Sequence, residues 1–195
     1  MLMYIFSTPD LLADIREELE TIACDGNIIS AQGIRDCATL MSTWNEVMRV
    51  ASRGASARMV MEDTDLLGKW QLKKGGVVLI PTAVMHADEK TWGDTAFDAR
   101  RWMQGKTKRL PAACYRPFGG GSTICPGRHF GAMEVLLVTA FVVLGYDILP
   151  VHGRLEVPKQ KQRSLVDAVF GPEKDVKVRL VMRDGIEKTG WSFKA

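Results

Sequence analysis

The sequence predicts a mainly α fold with small β hairpins, an α+β chain, on three observations. Residues 128 to 144 contain no helix breaker and run into Gly145, which supplies a C-terminal stop. Leu11, Leu12, Ile15, Leu19 and Ile22 recur at three- and four-residue steps, the period of a helix with one apolar face. Between residues 58 and 80 the apolar period changes to that of strands around the turn Lys73-Lys74-Gly75-Gly76. With 195 residues, 46% hydrophobic and 25% charged, the chain can bury one core.

In chain order, Asp10 to Ala23 is the first helix and Asp25-Gly26-Asn27 a turn. A second helix is expected from about Ser30 to Met41 and a third from Ser42 to Val50, with Gly54 loosening the chain beyond. Arg58 to Asp63, Trp70 to Leu72 and Val77 to Ile80 read as strands, the last stopped by Pro81. Asp88 to Asp94 is helical or turn-like, and Gly105 to Pro117 is an irregular basic loop. Pro126 is placed in the first turn of the long helix, where its missing N–H has no partner to lose. Val135 to Leu144 is apolar on every side except at Thr139, which predicts burial all round. Ten such residues are half of a bilayer span, so a core helix is expected rather than a membrane one. Val166 to Phe170 and Val176 to Met182 then form a last hairpin about Gly171-Pro172.

Composition excludes several functions. The four cysteines, Cys24, Cys37, Cys114 and Cys125, show no C-x-x-C pairing and no zinc spacing, which points to a reducing, cytosol-facing setting. Met1 to Phe6 is apolar but too short for a signal peptide. A net charge of +3 is too mild to imply nucleic acid.

The chemistry concentrates in RPFGGGSTICPGRHFG, residues 116 to 131. Cys125 stands between a glycine run and the start of the apolar helix, where the helix dipole and free N–H groups favour an anion. Glycines let backbone pass close to a flat ligand and turn N–H groups towards the sulfur. A thiolate so placed is a metal ligand or a nucleophile. An inert buried cysteine after a glycine turn is the bland alternative, and the wider pattern decides between them.

Phe118, Gly121, Cys125 and Gly127 fall in the spacing F-x-x-G-x-x-x-C-x-G, and Arg128 completes C-P-G-R. This resembles the haem-binding signature of the cytochrome P450 family. The likeness is greatest to the eukaryotic branch of sterol 7α-hydroxylases and prostacyclin synthase and to many fungal enzymes. The resemblance implies that Cys125 is the axial ligand of haem b and the centre of catalysis, its thiolate pushing electron density onto the iron. It implies further that Phe118, Gly119, Gly121, Thr123, Gly127 and Gly131 line the cofactor. Arg58 takes the place of a propionate-binding arginine, while Thr123 stands where many members carry Arg or His. Gly131 replaces a usual alanine.

The same resemblance gives WNEVMRV a role. Glu46 and Arg49 share a helix face at i, i+3, and alone they would read as a surface pair. In the family such a pair binds an arginine from a later segment to hold the cysteine loop, and here that arginine is Arg101 in FDARRW. Ala99-Arg100 depart from the usual Pro-Glu. His86 reads as a satisfied packing residue in a structural turn. Lys106, Lys108, Arg109, Arg116 and Arg128 could form a docking face for an acidic flavoprotein reductase. Ala55, Ser56, Val169 and Phe170 would face a lipophilic substrate.

Together these imply that residues 1–195 are the C-terminal haem-binding part of a cytochrome P450 fold, the N-terminal part being absent. The parent would be a monooxygenase taking O2, a lipophilic small molecule, and electrons from NADPH through an FAD/FMN reductase. It would be anchored to the endoplasmic reticulum by a segment outside this chain. A non-catalytic truncated fragment and a haem-thiolate isomerase of the prostacyclin synthase type stay open as alternatives.

Overall fold

The computed structural model describes residues 1–24, 28–103, 105, 107, 110–160, 168–169, 171–184 and 192–194. The expected turn at 25–27, the basic residues Lys106, Lys108 and Arg109, and the stretch 166–167 with Phe170 lie outside the described residues.

Helix α1 (Leu2–Phe6) leads into α2 (Pro9–Thr21), whose Pro9 sits in the first turn, where no N–H partner is lost. Leu11, Ile15 and Leu19 stack at four-residue steps on the buried face of α2. Helix α3 (Ala31–Asp36) is capped by Ser30, whose Oγ accepts from Gly33 N at 2.8 Å. Helix α4 runs over Ala38–Ala51. The break between the two therefore falls at Cys37, earlier than the sequence suggested. The cause is tertiary: the Glu18 carboxylate of α2 accepts from Thr39 N at 2.7 Å and Leu40 N at 3.2 Å, capping α4 from across the core.

The strands pair as short ribbons. β1 (Ala23–Cys24) and β2 (Ile28–Ser30) are antiparallel, and β9 (Ser192–Lys194) joins β2 in parallel. β3 (Ala55–Met59) pairs antiparallel with β6 (Val77–Pro81), Ser56 opposite Ile80 and Arg58 opposite Val78. β4 (Thr64–Leu66) and β5 (Trp70–Leu72) form a hairpin between them. The strand expected over Arg58 to Asp63 lies earlier, since β3 ends at Met59, Val60 still exchanges backbone bonds with Gly75 and Gly76, and the next strand begins at Thr64. Two short helices, α5 (Thr82–His86) and α6 (Glu89–Trp92), follow Pro81.

Helix α7 (Arg128–Gly145) ends where Gly145 predicts, with Tyr146 already extended. It begins two residues after Pro126, which stays in the turn ahead of the helix. The expected final hairpin is replaced. β7 (Tyr146–Pro150) takes β8 (Val178–Met182) as its antiparallel partner, whereas Val169 bridges to Ser52. The apolar runs of both strands supplied the signal, but partner choice is a non-local decision.

The core joins Ile5, Leu11, Ile15, Leu19, Ile34, Leu40, Trp44 and Met48 to Leu136, Ala140, Val143 and Leu144 of α7. Burial of α7 is one-sided, against expectation. Phe130, Val135, Val138 and Phe141 are exposed, Phe130 at 75% and Val138 at 55%. Among the described residues α7 is the one helix long and apolar enough to cross a membrane, counted over its whole length. Its buried face meets α2 and α3, as in a core helix.

Candidate functional site

The site grows from two supports, a buried clamp and a glycine loop. Helix α4 presents Glu46 and Arg49 on one face, as i, i+3 spacing requires. Arg49 forks onto the Glu46 carboxylate with Nε to Oε2 at 2.9 Å and Nη2 to Oε1 at 2.7 Å. Arg101 adds Nε to Oε1 at 3.1 Å, the Asp98 N–H a bond at 3.1 Å, and the Trp102 indole Nε1 one to Oε2 at 3.3 Å. Glu46 is 0% exposed and Arg49 2%. Burial alone would raise the Glu46 pKa. The Arg49 and Asp98 hydrogen bonds, the Arg49 charge and the Arg101 bond outweigh it and hold the carboxyl below the usual range. The guanidiniums continue outward: Arg49 donates to the carbonyls of His86 and Thr95, and Arg101 to those of Trp92 and Ala96. One buried carboxylate thereby fixes α4, α6 and residues 95–102 together.

His86 stands at the far side of this clamp, buried at 2% exposure. Its Nδ1 lies 2.9 Å from Arg49 O, and its Nε2 accepts from Arg116 N at 2.9 Å. Tyr115 stacks on the imidazole and Trp92 meets it edge-on. Sequence reasoning placed His86 among packing residues, and the only signal for its bridging role was its position before the cysteine loop. Trp102 was missed as a clamp donor, although it directly follows Arg101.

Arg116 opens the glycine loop. Gly119 N donates to Arg116 O at 3.1 Å, and Gly119 and Gly121 hold φ of +77° and +68°, which side chains resist. A Cβ on Gly120 would stand 2.7 Å from the Arg116 guanidinium, so that side chain lies across the loop. Cys125 N donates to Phe118 O at 3.0 Å, and Ile124 N to Gly121 O at 3.2 Å. These three backbone donors of the loop serve carbonyls. The Arg128 guanidinium donates to Cys125 O at 3.2 Å. Phe118 packs, half-buried, against the core, and Cys125 is exposed.

Strand β3 runs beside the loop. Arg58 Nη2 bonds Thr123 Oγ1, and Ser56 Oγ lies 3.8 Å from where a Gly119 Cβ would be. Arg58, Ser56 and Thr123 thus meet on the loop that carries Cys125. A Cβ on Gly127 would be 3.9 Å from the sulfur, and one on Gly131 would meet nothing within 4 Å. Ala55 opens β3 opposite Pro81. Val169 bridges to Ser52, and Ala168 O accepts from Arg53 N at 2.8 Å, bringing residues 168–169 against the chain that leads into β3.

The other cysteines differ. Cys37 is buried in the core, and burial, followed by the charges of Glu18 and Asp36, pushes its pKa up to about 12. Cys114 is half-buried in a single 3-10 turn, Ala112–Cys114. Among the described residues no three His, Cys, Asp or Glu side chains gather into a metal-ligating group.

A family model described as cytochrome P450 matches residues 1–178. The chain is 35% identical to the cytochrome P450 monooxygenase nodJ of Hypoxylon pulicicidum, over 99% of this chain and 41% of that protein. It is 32% identical to a cytochrome P450 monooxygenase of Gibberella zeae, over 98% of this chain and 41% of that one. The bifunctional cytochrome P450/NADPH–P450 reductase ALT2 of Alternaria alternata is 28% identical over 75% of this chain and 13% of its own length. The chain spans about two fifths of the length of the first two of these relatives. With the family match extending from the first helix to the start of β8, and the cysteine loop and clamp inside it, the chain belongs to the cytochrome P450 family.

Proposed function

We propose that the chain is the haem-binding part of a haem-thiolate monooxygenase, with Cys125 as the iron ligand. The observation that carries this reading is the exposed Cys125 on a loop fixed from behind. The loop is pinned through Phe118 O, the Arg116 backbone and the buried Glu46 clamp.

The residues present fit a haem. One thiol outside any cluster of metal-ligating side chains among the described residues suits a metal whose remaining ligands come from a macrocycle. Open space at Gly131, and glycines at 119 and 121 in conformations that side chains resist, suit a flat ring passing close to backbone. Arg58, with Thr123 on its guanidinium, supplies charge and a hydrogen bond for a propionate. Phe118 and Gly127 flank the ligand, and a Cβ on Gly127 would come within 3.9 Å of the sulfur.

Bound haem supplies O2 activation, so that one oxygen atom enters the substrate and the other leaves as water, with two electrons and two protons consumed. The chain's own contribution is placement. Cys125 presents a single sulfur, the loop fixes its height, and the clamp stops the loop from shifting. Ala55, Ser56 and Val169 are small or apolar, which suits a lipophilic substrate, and Phe170 belongs to the same reading from the sequence alone. The electron donor in this proposal is NADPH through an FAD/FMN reductase. The printed name of ALT2, which joins the two activities, supports it. Arg116 and Arg128 are engaged with the loop itself, so a reductase face would draw on the basic residues of 106–109.

The test is spectroscopic. The ferrous carbon monoxide complex of the haem-loaded chain should show the red-shifted Soret band of a thiolate ligand. Cys125→Ala should abolish that band and Cys125→His should move it to the position of imidazole-ligated haem. Serine at Cys24, Cys37 or Cys114 should leave it. A thiolate band that survived Cys125→Ala would end the reading.

A further inference from the structure

We propose that His86 is a positioning residue for the cysteine loop, its neutral imidazole linking the end of α4 to the Arg116 backbone from which the loop departs. The inference rests on the reading of Cys125 as the iron ligand.

Helix α4 ends at Ala51, and its last carbonyls need outside donors. Ser52 N still serves Met48 O, but Arg53 N turns away to Ala168 O, which leaves Arg49 O without its intrahelical partner. His86 fills that place with Nδ1 at 2.9 Å, and Arg49 Nη1 returns a bond to His86 O at 2.8 Å. A carbonyl only accepts, so Nδ1 carries the proton. The Arg116 N–H only donates, so Nε2 offers its lone pair. The tautomer is thereby fixed by both partners.

Helix α5 has five residues, and Thr82 and His86 fall at i, i+4 on its one buried face. Thr82 Oγ1 reaches Arg116 O at 3.4 Å while His86 takes Arg116 N, so both backbone groups of a single residue are held. Arg116 O also receives Gly119 N, and the Arg116 guanidinium crosses Gly120. A shift of Arg116 is therefore a shift of the loop, and Cys125 hangs from that loop through Phe118 O.

An imidazolium cannot accept the Arg116 N–H, so protonation removes one half of the link. The charged groups acting on the ring are Arg49 and Glu46 of α4 and Arg53 just beyond it. Tyr115 stacks on the ring, Trp92 meets it edge-on, and Arg116 approaches with its backbone. Burial first, then the Arg49 and Arg53 charges, lower the His86 pKa below the ordinary histidine value, against the Arg49 carbonyl and Glu46. The neutral link is complete above that ordinary value and is lost as pH falls through the depressed one.

Two measurements test this, one without haem. Hydrogen exchange at the Arg116 amide in the haem-free chain should be slow in wild type and in His86→Gln, whose amide keeps one donor and one acceptor. It should lose protection in His86→Ala. In the haem-loaded chain the thiolate Soret band should fall with one protonation step below the ordinary histidine range. That step should be missing in His86→Gln. Unchanged Arg116 protection in His86→Ala, or the same acid step in His86→Gln, would overturn the proposal. A thiolate band retained by Cys125→Ala would instead overturn the ligand assignment, leaving the exchange result to stand or fall alone.

Discussion

At the scale of single residues, Glu46 illustrates how far position changes the worth of a side chain. An exposed Glu–Arg pair at i, i+3 contributes little, because water already solvates both ions. Here the carboxylate is fully buried and takes five donors from Arg49, Arg101, Asp98 and Trp102. Removing one partner strands the other charge in the core at a cost of about 3–5 kcal/mol. That approaches the whole stability of many domains, about 5–15 kcal/mol. Glu46→Ala and Arg49→Ala should therefore each abolish haem incorporation, measured as the ratio of Soret to protein absorbance. Lys73→Ala, at an exposed pair with Asp63, should leave that ratio unchanged. Wild-type haem content in both clamp variants would contradict the argument. Because the Glu46 carboxyl is held below the usual range, its stabilisation is present above that range and is lost only as pH falls through the depressed value.

At the scale of elements, helix ends position the cysteine helix. Helix α2 places Glu18 at the positive end of α4 and Arg16 at the negative end of α7. Arg16 Nε donates to Val143 O at 3.0 Å and its Nη2 to Tyr146 O at 2.9 Å, while Arg183 Nη1 serves Leu144 O at 3.0 Å. Two guanidiniums thus take the carbonyls that α7 leaves open at its C-terminus. Glu18→Ala should destabilise the chain by about 1 kcal/mol, the usual worth of a cap. A urea midpoint lowered at unchanged slope would show this. A midpoint equal to wild type would mean that solvent caps α4 equally well.

At the scale of the whole molecule, the exposed apolar surface is unusual in extent. Phe130, Val135, Val138 and Phe141 line one side of α7, and Met59, Met61, Leu67 and Trp70 stand out from the β ribbons. Contiguous patches of this kind drive association. Expressed alone, the chain should self-associate and bind a hydrophobic dye. Val138→Lys should lessen both without lowering the unfolding temperature, whereas Val143→Lys, at a fully buried position, should unfold the chain. If the two lysine variants were equally destabilised, the Val138 face would be covered within the chain. A monodisperse wild-type monomer that bound no dye would refute the association itself.

Local chemistry made some features legible in the sequence. The period of α2, the stop at Gly145 and the turn at Lys73 to Gly76 depend on residues a few positions apart. The cysteine motif is also local, because a glycine run, a cysteine and a helix start must be contiguous to work. The clamp residues were readable only with the family pattern in hand, since nothing local distinguishes Glu46–Arg49 from a surface pair. Tertiary structure decided the rest. It broke α3 from α4 at Cys37 because a carboxylate 21 residues away caps the second helix. It gave β8 to β7, because strand partners are chosen by what the core places side by side. It left one side of α7 exposed, because apolarity records the capacity for burial while only neighbouring elements supply the burial. It turned His86 into a bridge, because an imidazole's role is set by the two groups that reach its nitrogens, and those come from residues 37 before it and 30 after.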